Sequence, residues 1–265
     1  MGNVYIDPEL AYCPLPTQQR SASEGMFQVA RGTHMPIGDK GTLRFFIYWK
    51  GQDIDLSASL HNEEFGLMEH ISYTNLRSAK YQAAHSGDIT RAPNGASEFI
   101  DINIEQAVNC GARYVVMNVY VFAGPNFADH EKCYAGWMTR KSVQSGEVYE
   151  PKTVKQKVDL TANSRNAIPV VFDLVERKAI WTDLSTTGRS HFGGNNIHSN
   201  QATVEQTLQA ITSLDNKVNL YELFKMHAHA RGTLVEDRED ADVVFAMDEG
   251  VTPYDIATIN SDFLV

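Results

Sequence analysis

The sequence predicts a mainly β protein: a two-sheet β-sandwich with short helices at the N-terminus and a helical C-terminal extension. Three observations predict it. Residues 43–184 hold a series of short apolar or alternating runs separated by turn residues. One short helical candidate, IEQAVNC at 104–110, interrupts them, so the alternation of strands and helices that marks a parallel sheet is missing. From residue 202 onward the apolar period becomes helical. The chain therefore divides into an N-terminal segment packed on the sandwich (1–40), the sandwich itself (41–187), and a linker with the helical extension (188–265).

In the N-terminal segment, Pro14, Pro16 and Thr17 precede QQRSASEGMFQVARG, a short helix with Gly32 just past its end. LRFFIYWK (43–50) is aromatic and β-branched, as strands are. In DIDLSASLH, after Gly51-Gln52, Ile54, Leu56, Ala58 and Leu60 point one way, and Asp53, Asp55, Ser57, Ser59 and His61 the other. FIDINI (99–104) alternates too. ARYVVMNVYVF (112–122) is apolar on both faces, which predicts a central strand covered twice. AGWMTR (135–140), IPVVFDLV (168–175) and KAIWTDL (178–184) follow, the last two joined through Glu176-Arg177 as a hairpin. Trp49, Trp137 and Trp181 sit in these strands as core residues.

Residues 188–200 are rich in Gly and Asn and read as a linker. In ATVEQTLQAITSL, Val204, Leu208, Ile211 and Leu214 share a helical face, and in NLYELFKMHAHARG so do Leu220, Leu223, Phe224 and His227. Gly232 reads as a helix stop, and Thr252-Pro253 as a helix start.

Composition limits the function. Of 265 residues, 43% are hydrophobic, enough for a sizeable core. The net charge of −10 argues against a nucleic-acid surface, which needs Lys and Arg to neutralise phosphates. Cys13, Cys110 and Cys133 form no CxxC pair and read as reduced thiols in a cytoplasmic protein. No signal peptide is expected at the N-terminus, and no apolar run approaches the length of a membrane span. HExxH, GxSxG, GxGxxG and P-loop patterns are absent.

Two clusters could carry chemistry. On a strand, Asp53 and Asp55 lie roughly 6.6 Å apart on one face. At an effective dielectric of about 20 their charges repel by roughly 2–3 kcal/mol. Either water screens them on a solvated edge strand, or they share a cation, since calcium takes oxygen ligands at about 2.3–2.6 Å. The second cluster, HSGDITRAPNGASEFIDINI (85–104), has turns at Ser86-Gly87-Asp88 and at Pro93-Asn94-Gly95, with Glu98 opening a strand. It offers the oxygen donors a calcium site needs, although such residues also serve ordinary hairpin loops, and the EF-hand spacing is absent. His61 shares the face of the two acids, whereas His227 and His229, two apart on a helix, lie on different faces.

DIDLSAS, then SGD followed by a Gly and a Glu leading into EFIDINI, then the apolar strand ending in NVYVF, resemble the TerD family of the tellurite-resistance and stress-response group. CPLPTQQRSAS with RGTHMP, and the segment from LYELFKMHAHARGTLVEDREDADVVF to the end, resemble an extended bacterial subfamily. The resemblance implies a TerD-like β-sandwich with calcium in the loops at one end. The family's loop pattern, roughly GDNxTGxGxGDDE, is met by Gly87, Asp88, Gly95 and Glu98. Ile89, Ala96 and Ser97 stand where the family has oxygen donors, and the loop is one residue shorter. The implied metal ligands are Asp53, Asp55, Asp88, Asn94 and Glu98, with calcium as cofactor. The expected function is a non-catalytic calcium-binding module that acts through protein partners in a stress-response system, with neither nucleic acid nor membrane insertion. An ion-free interaction scaffold is one alternative, and a metal-dependent hydrolase using His61 or His85 is another.

Overall fold

The computed structural model of the chain describes residues 1–16, 29–146, 150–151, 154, 156–186, 201–212 and 218–264. The chain forms two compact units, a larger one containing Met35–Gln209 and a smaller one formed by the two ends of the chain.

The larger unit is built on two six-stranded sheets. The first runs β11 (Lys157–Asp159), β10 (Cys133–Arg140), β3 (Thr42–Gly51), β8 (Ala92–Asn103), β7 (Ala83–His85) and β6 (Arg77–Ser78). The second runs β2 (His34–Pro36), β13 (Lys178–Thr186), β12 (Asn166–Asp173), β9 (Tyr114–Val121), β4 (Ile54–His61) and β5 (Leu67–Ile71). Neighbouring strands pair antiparallel. The sheets face each other through aromatic side chains. Phe45 of β3 stacks on Phe172 of β12 at 5.4 Å, and Trp137 of β10 meets the same ring edge-on at 6.0 Å. Trp49, Trp137 and Trp181 are all buried.

The β-sandwich and most of its strands match the sequence expectation. β9 is an interior strand of its sheet, between β12 and β4, and six of its eight residues, from both faces, are buried, as its apolar faces predict. The tight hairpin of β12 and β13 turns at Arg177, whose φ is +52°. Asp173 stabilises that turn by accepting the N–H groups of Val175 and Glu176, both at 3.0 Å. Pro169 has no N–H to give a ladder, and both ladders of β12 shift register around it. Asn103 caps the short helix Ile104–Asn109 by accepting from Gln106 N at 3.0 Å.

Three local expectations are corrected. Pro93-Asn94-Gly95 is not a loop between strands but a bulge inside β8, opposite the step from Trp49 to Gly51. Gly95 makes this possible: its φ is +91°, and a Cβ there would sit 2.1 Å from the Tyr48 hydroxyl. Gly232 is not a left-handed helix stop; it is extended (φ −158°) and opens a strand. A Cβ there would lie 2.7 Å from the Gly2 carbonyl oxygen, so glycine is needed for close approach. The helix expected at Thr252-Pro253 starts only at Ile256, after a turn held by Asp255, whose carboxylate accepts from Thr252 N and Oγ1 at 2.8 Å each. The helix expected at 18–32 lies largely outside the described residues, and the linker at 188–200 wholly so.

In the smaller unit the two chain ends form one parallel sheet. β1 (Gly2–Ile6) lies between β14 (Gly232–Leu234) and β15 (Val243–Phe245). The helix Leu220–Arg231, capped by Asn219, contributes Leu220, Leu223, Phe224 and Ala228 to a core shared with Val4, Leu10, Cys13, Phe245 and Ile259. Phe224 stacks on Phe245 at 4.1 Å, and Phe263 meets both rings edge-on. Strands from both ends of the chain are thus interleaved where separate N- and C-terminal extensions were expected. No helix among the described residues is long and apolar enough to cross a membrane.

Candidate metal centre

β4 presents Asp55 from its polar side, and Asp53 precedes its first residue in the same phase. Asp88 comes from the loop between β7 and β8, in the opposite sheet. The fold brings the three carboxylates together, with one oxygen from each within 4.8 Å of the others. Asp53 is buried, Asp55 half-buried and Asp88 exposed, so the cluster opens to solvent on the side of the loop.

The loop is fixed by short-range bonds. Ser86 N donates to Phe99 O at 2.9 Å, and Phe99 N donates back to Ser86 Oγ at 3.0 Å. Gly87, at φ +115°, donates its N–H to His85 Nδ1 at 3.0 Å. Since Nδ1 accepts, His85 carries its proton on Nε2 and donates it to the Leu56 carbonyl at 3.0 Å. Glu98 accepts from Leu56 N through Oε2 at 3.0 Å and from Ile89 N through Oε1 at 2.8 Å. Leu56 lies where β4 has no partner strand on its outer edge, because β5 pairs only from Ala58 onward. Side chains of the other sheet take up both of its backbone groups instead.

At a separation of about 4.8 Å and an effective dielectric of about 20, two carboxylate charges repel by roughly 3–4 kcal/mol. That repulsion and partial burial raise the proton affinity of the cluster. Asp55 is pushed up to about 7, by burial first and then by Asp53 and Asp88. Asp53 is raised by burial and by Asp88. Glu98 is raised to about 8, mainly by burial, against the two N–H donors that favour its charged form. Burial lowers His85, so the ring is neutral.

Asp53 Oδ1 is buried and has no hydrogen-bond partner among the described residues. An unsatisfied buried acceptor costs about 1–3 kcal/mol, more when charged. A hard cation removes that cost and the mutual repulsion together. Oxygens sharing one calcium at about 2.3–2.6 Å lie at most about 5 Å apart, which the three carboxylates satisfy. An all-oxygen set suits calcium or magnesium rather than zinc or copper.

The other two residues expected at the site behave differently. Asn94 is exposed on the bulge of β8. Both oxygens of Glu98 are engaged with backbone N–H groups. His61 is fully buried and bonds to Ser59 Oγ and Phe65 O, both at 2.9 Å. The residue that sequence reasoning placed only in a hydrolase alternative, His85, lies 3.6 Å from Glu98 and anchors the loop. Its position directly before Ser86-Gly87-Asp88 is the one sequence signal of that role.

No family model and no curated protein matches the chain. Among solved structures the chain is similar to a homologue of the telluride resistance protein TerD, SCO6318 from Streptomyces coelicolor A3(2). That similarity has a TM-score of 0.45 at 10% identity and covers 57% of this chain and 92% of the other. It is also similar to SAV2460, a protein of unknown function, with a TM-score of 0.41 at 14% identity, over 56% of this chain and 94% of that one.

Proposed function

We propose that this protein is a non-catalytic, calcium-binding module of TerD type that acts through protein partners in a bacterial stress-response system of the tellurite-resistance kind. The observation that carries the calcium reading is the convergence of Asp53, Asp55 and Asp88 from two sheets, with Asp53 Oδ1 buried and unpartnered. Three carboxylates in one sphere fit a single ion, with water and backbone carbonyls completing the 6–8 ligands calcium takes. The stress-response setting rests on the sequence resemblance of DIDLSAS, SGD and EFIDINI. A cytoplasmic location accords with the free thiols of Cys13, Cys110 and Cys133.

The non-catalytic reading is supported by the histidines nearest the acids. Both ring nitrogens of His85 and both of His61 are occupied by neighbouring protein atoms, which leaves neither ready to act as a base toward a substrate. Titration calorimetry with calcium tests the proposal. The expected result is binding at one ion per chain, at least about 10-fold weaker in Asp88→Ala. Absence of heat, or unchanged binding in Asp88→Ala, would remove calcium from the account.

A further inference from the structure

Glu98 stands where a ligand was expected, yet its carboxylate is committed elsewhere, and the commitment follows a pattern. Oε2 takes the N–H of Leu56, the residue after Asp55, at 3.0 Å, and Oε1 takes the N–H of Ile89, the residue after Asp88, at 2.8 Å. One buried carboxylate therefore holds the backbone directly behind two acids of the cluster, one on each side of the sandwich. His85 completes the clamp from the same sheet. Its Nε2–H fixes the Leu56 carbonyl, and its Nδ1 fixes Gly87 N, directly before Asp88. Glu98 and His85 are both almost wholly excluded from solvent, at 1% and 3% exposure, so no water competes for these bonds.

We propose that Glu98 is a positioning residue and not a ligand: with His85, it sets the separation of Asp55 and Asp88 and so the cation affinity of the site. This rests on the reading of the three acids as a metal centre. The Asp55 and Asp88 side chains hang from Leu56 and Ile89 by a single peptide unit each, so moving either amide moves a ligand. Without the clamp, an exposed loop and a strand from opposite sheets would be held at ligand distance only by the ion itself. The ion would then carry the ordering cost, and affinity would fall. Partners behind the ligands of a metal commonly control affinity by about 10–100-fold.

Terbium as a luminescent stand-in for calcium tests this, because lifetimes in H₂O and D₂O count the waters on the ion. Glu98→Gln keeps the size of the side chain but places an NH₂ against one of the two N–H donors. The expected result is terbium and calcium affinity about 10–100-fold weaker with the water count of the wild type. Asp88→Ala, which removes an oxygen ligand, should by contrast raise the water count by about one at saturating terbium. Asp101→Asn, which breaks a buried pair elsewhere in the same unit, should leave the affinity unchanged and so separates positioning from general loosening. If Glu98→Gln raises the water count as Asp88→Ala does, Glu98 is a ligand and the proposal fails. It fails equally if Glu98→Gln binds as the wild type does. A wild type that takes up neither ion overturns the metal centre itself, a different and distinguishable result. Should Glu98→Gln not fold, hydrogen exchange on the wild type decides: the Leu56 and Ile89 amides should stay protected with and without calcium. Release of either on adding calcium means that Glu98 has turned to the ion.

Discussion

Glu98 and Leu56 belong to opposite sheets, and the Glu98 carboxylate accepts the Leu56 N–H at 3.0 Å. The same carboxylate satisfies Ile89 N, so its removal orphans two amides, one of them buried. Each unsatisfied buried group costs about 1–3 kcal/mol. Glu98→Ala is therefore expected to lower stability by about 1–3 kcal/mol in urea unfolding at pH 7 with chelator present.

Proton uptake by the metal-free cluster gives a pH dependence of definite sign. Asp55 in the folded protein is raised to about 7 and Glu98 to about 8, both above their unfolded values near 4. The folded state therefore holds more protons across that window, and stability falls as pH rises through it. His85 and His61 have lowered values and act in the opposite direction, an effect that fades as pH rises about one unit past 6.5, where an unfolded histidine has lost its proton. The clean window lies above that. In EDTA, the urea midpoint is expected to be lower at about pH 8.5 than at about pH 7.5. In saturating calcium the dependence should flatten, because the ion takes the place of the proton.

Arg44 and Asp101 form a bidentate pair across β3 and β8 at 2.6 and 2.7 Å, with exposures of 3% and 0%. Phe99 covers the guanidinium at 3.9 Å, and Gln144 N donates to the same carboxylate at 2.8 Å. Removing one partner leaves a buried charge alone. Asp101→Ala is expected to cost about 3–5 kcal/mol, whereas exchanging both residues for apolar ones of similar volume should cost far less. Denaturant curves of the single and double variants check this.

Phe224 is fully buried in the smaller unit, between Phe245 and Phe263. Phe224→Ala is expected to cost about 3–5 kcal/mol. Asp53, Asp55 and Asp88 lie in the larger unit, so the variant is expected to keep wild-type calcium affinity. Hydrogen exchange resolved by peptide would show faster exchange in β1, β14 and β15 while β4 and β8 stay protected.

How much of this was legible in the sequence depends on the range of each interaction. The period of two in DIDLSASLH placed Asp53 and Asp55 on one side of a strand, because that pattern is local. It did not reveal that Ser57, Ser59 and His61 on the same side are buried, since what covers a strand comes from elsewhere in the chain. Two strands of two and three residues, β6 and β7, are too short for any period to show. The parallel sheet of the chain ends pairs Gly2 with Gly232, and no local pattern announces so distant a partner. Asp88, Asn94 and Glu98 all come from the cluster at 85–104; the family resemblance points to Asp88 and Glu98 as ligands, and Asn94 stands in for a missing carboxylate. Glu98 turned out to spend its oxygens on two amides, and amide positions are invisible in a sequence. Asp88, read from the same cluster, is the one that the structure brings to the two acids of β4.

Asp53, Asp55 and Asp88 are expected to share one cation. Anomalous diffraction from crystals grown with calcium tests this most directly. The expected result is one peak about 2.3–2.6 Å from a carboxylate oxygen of each of the three residues. A peak elsewhere, or no peak at saturating calcium, contradicts the account.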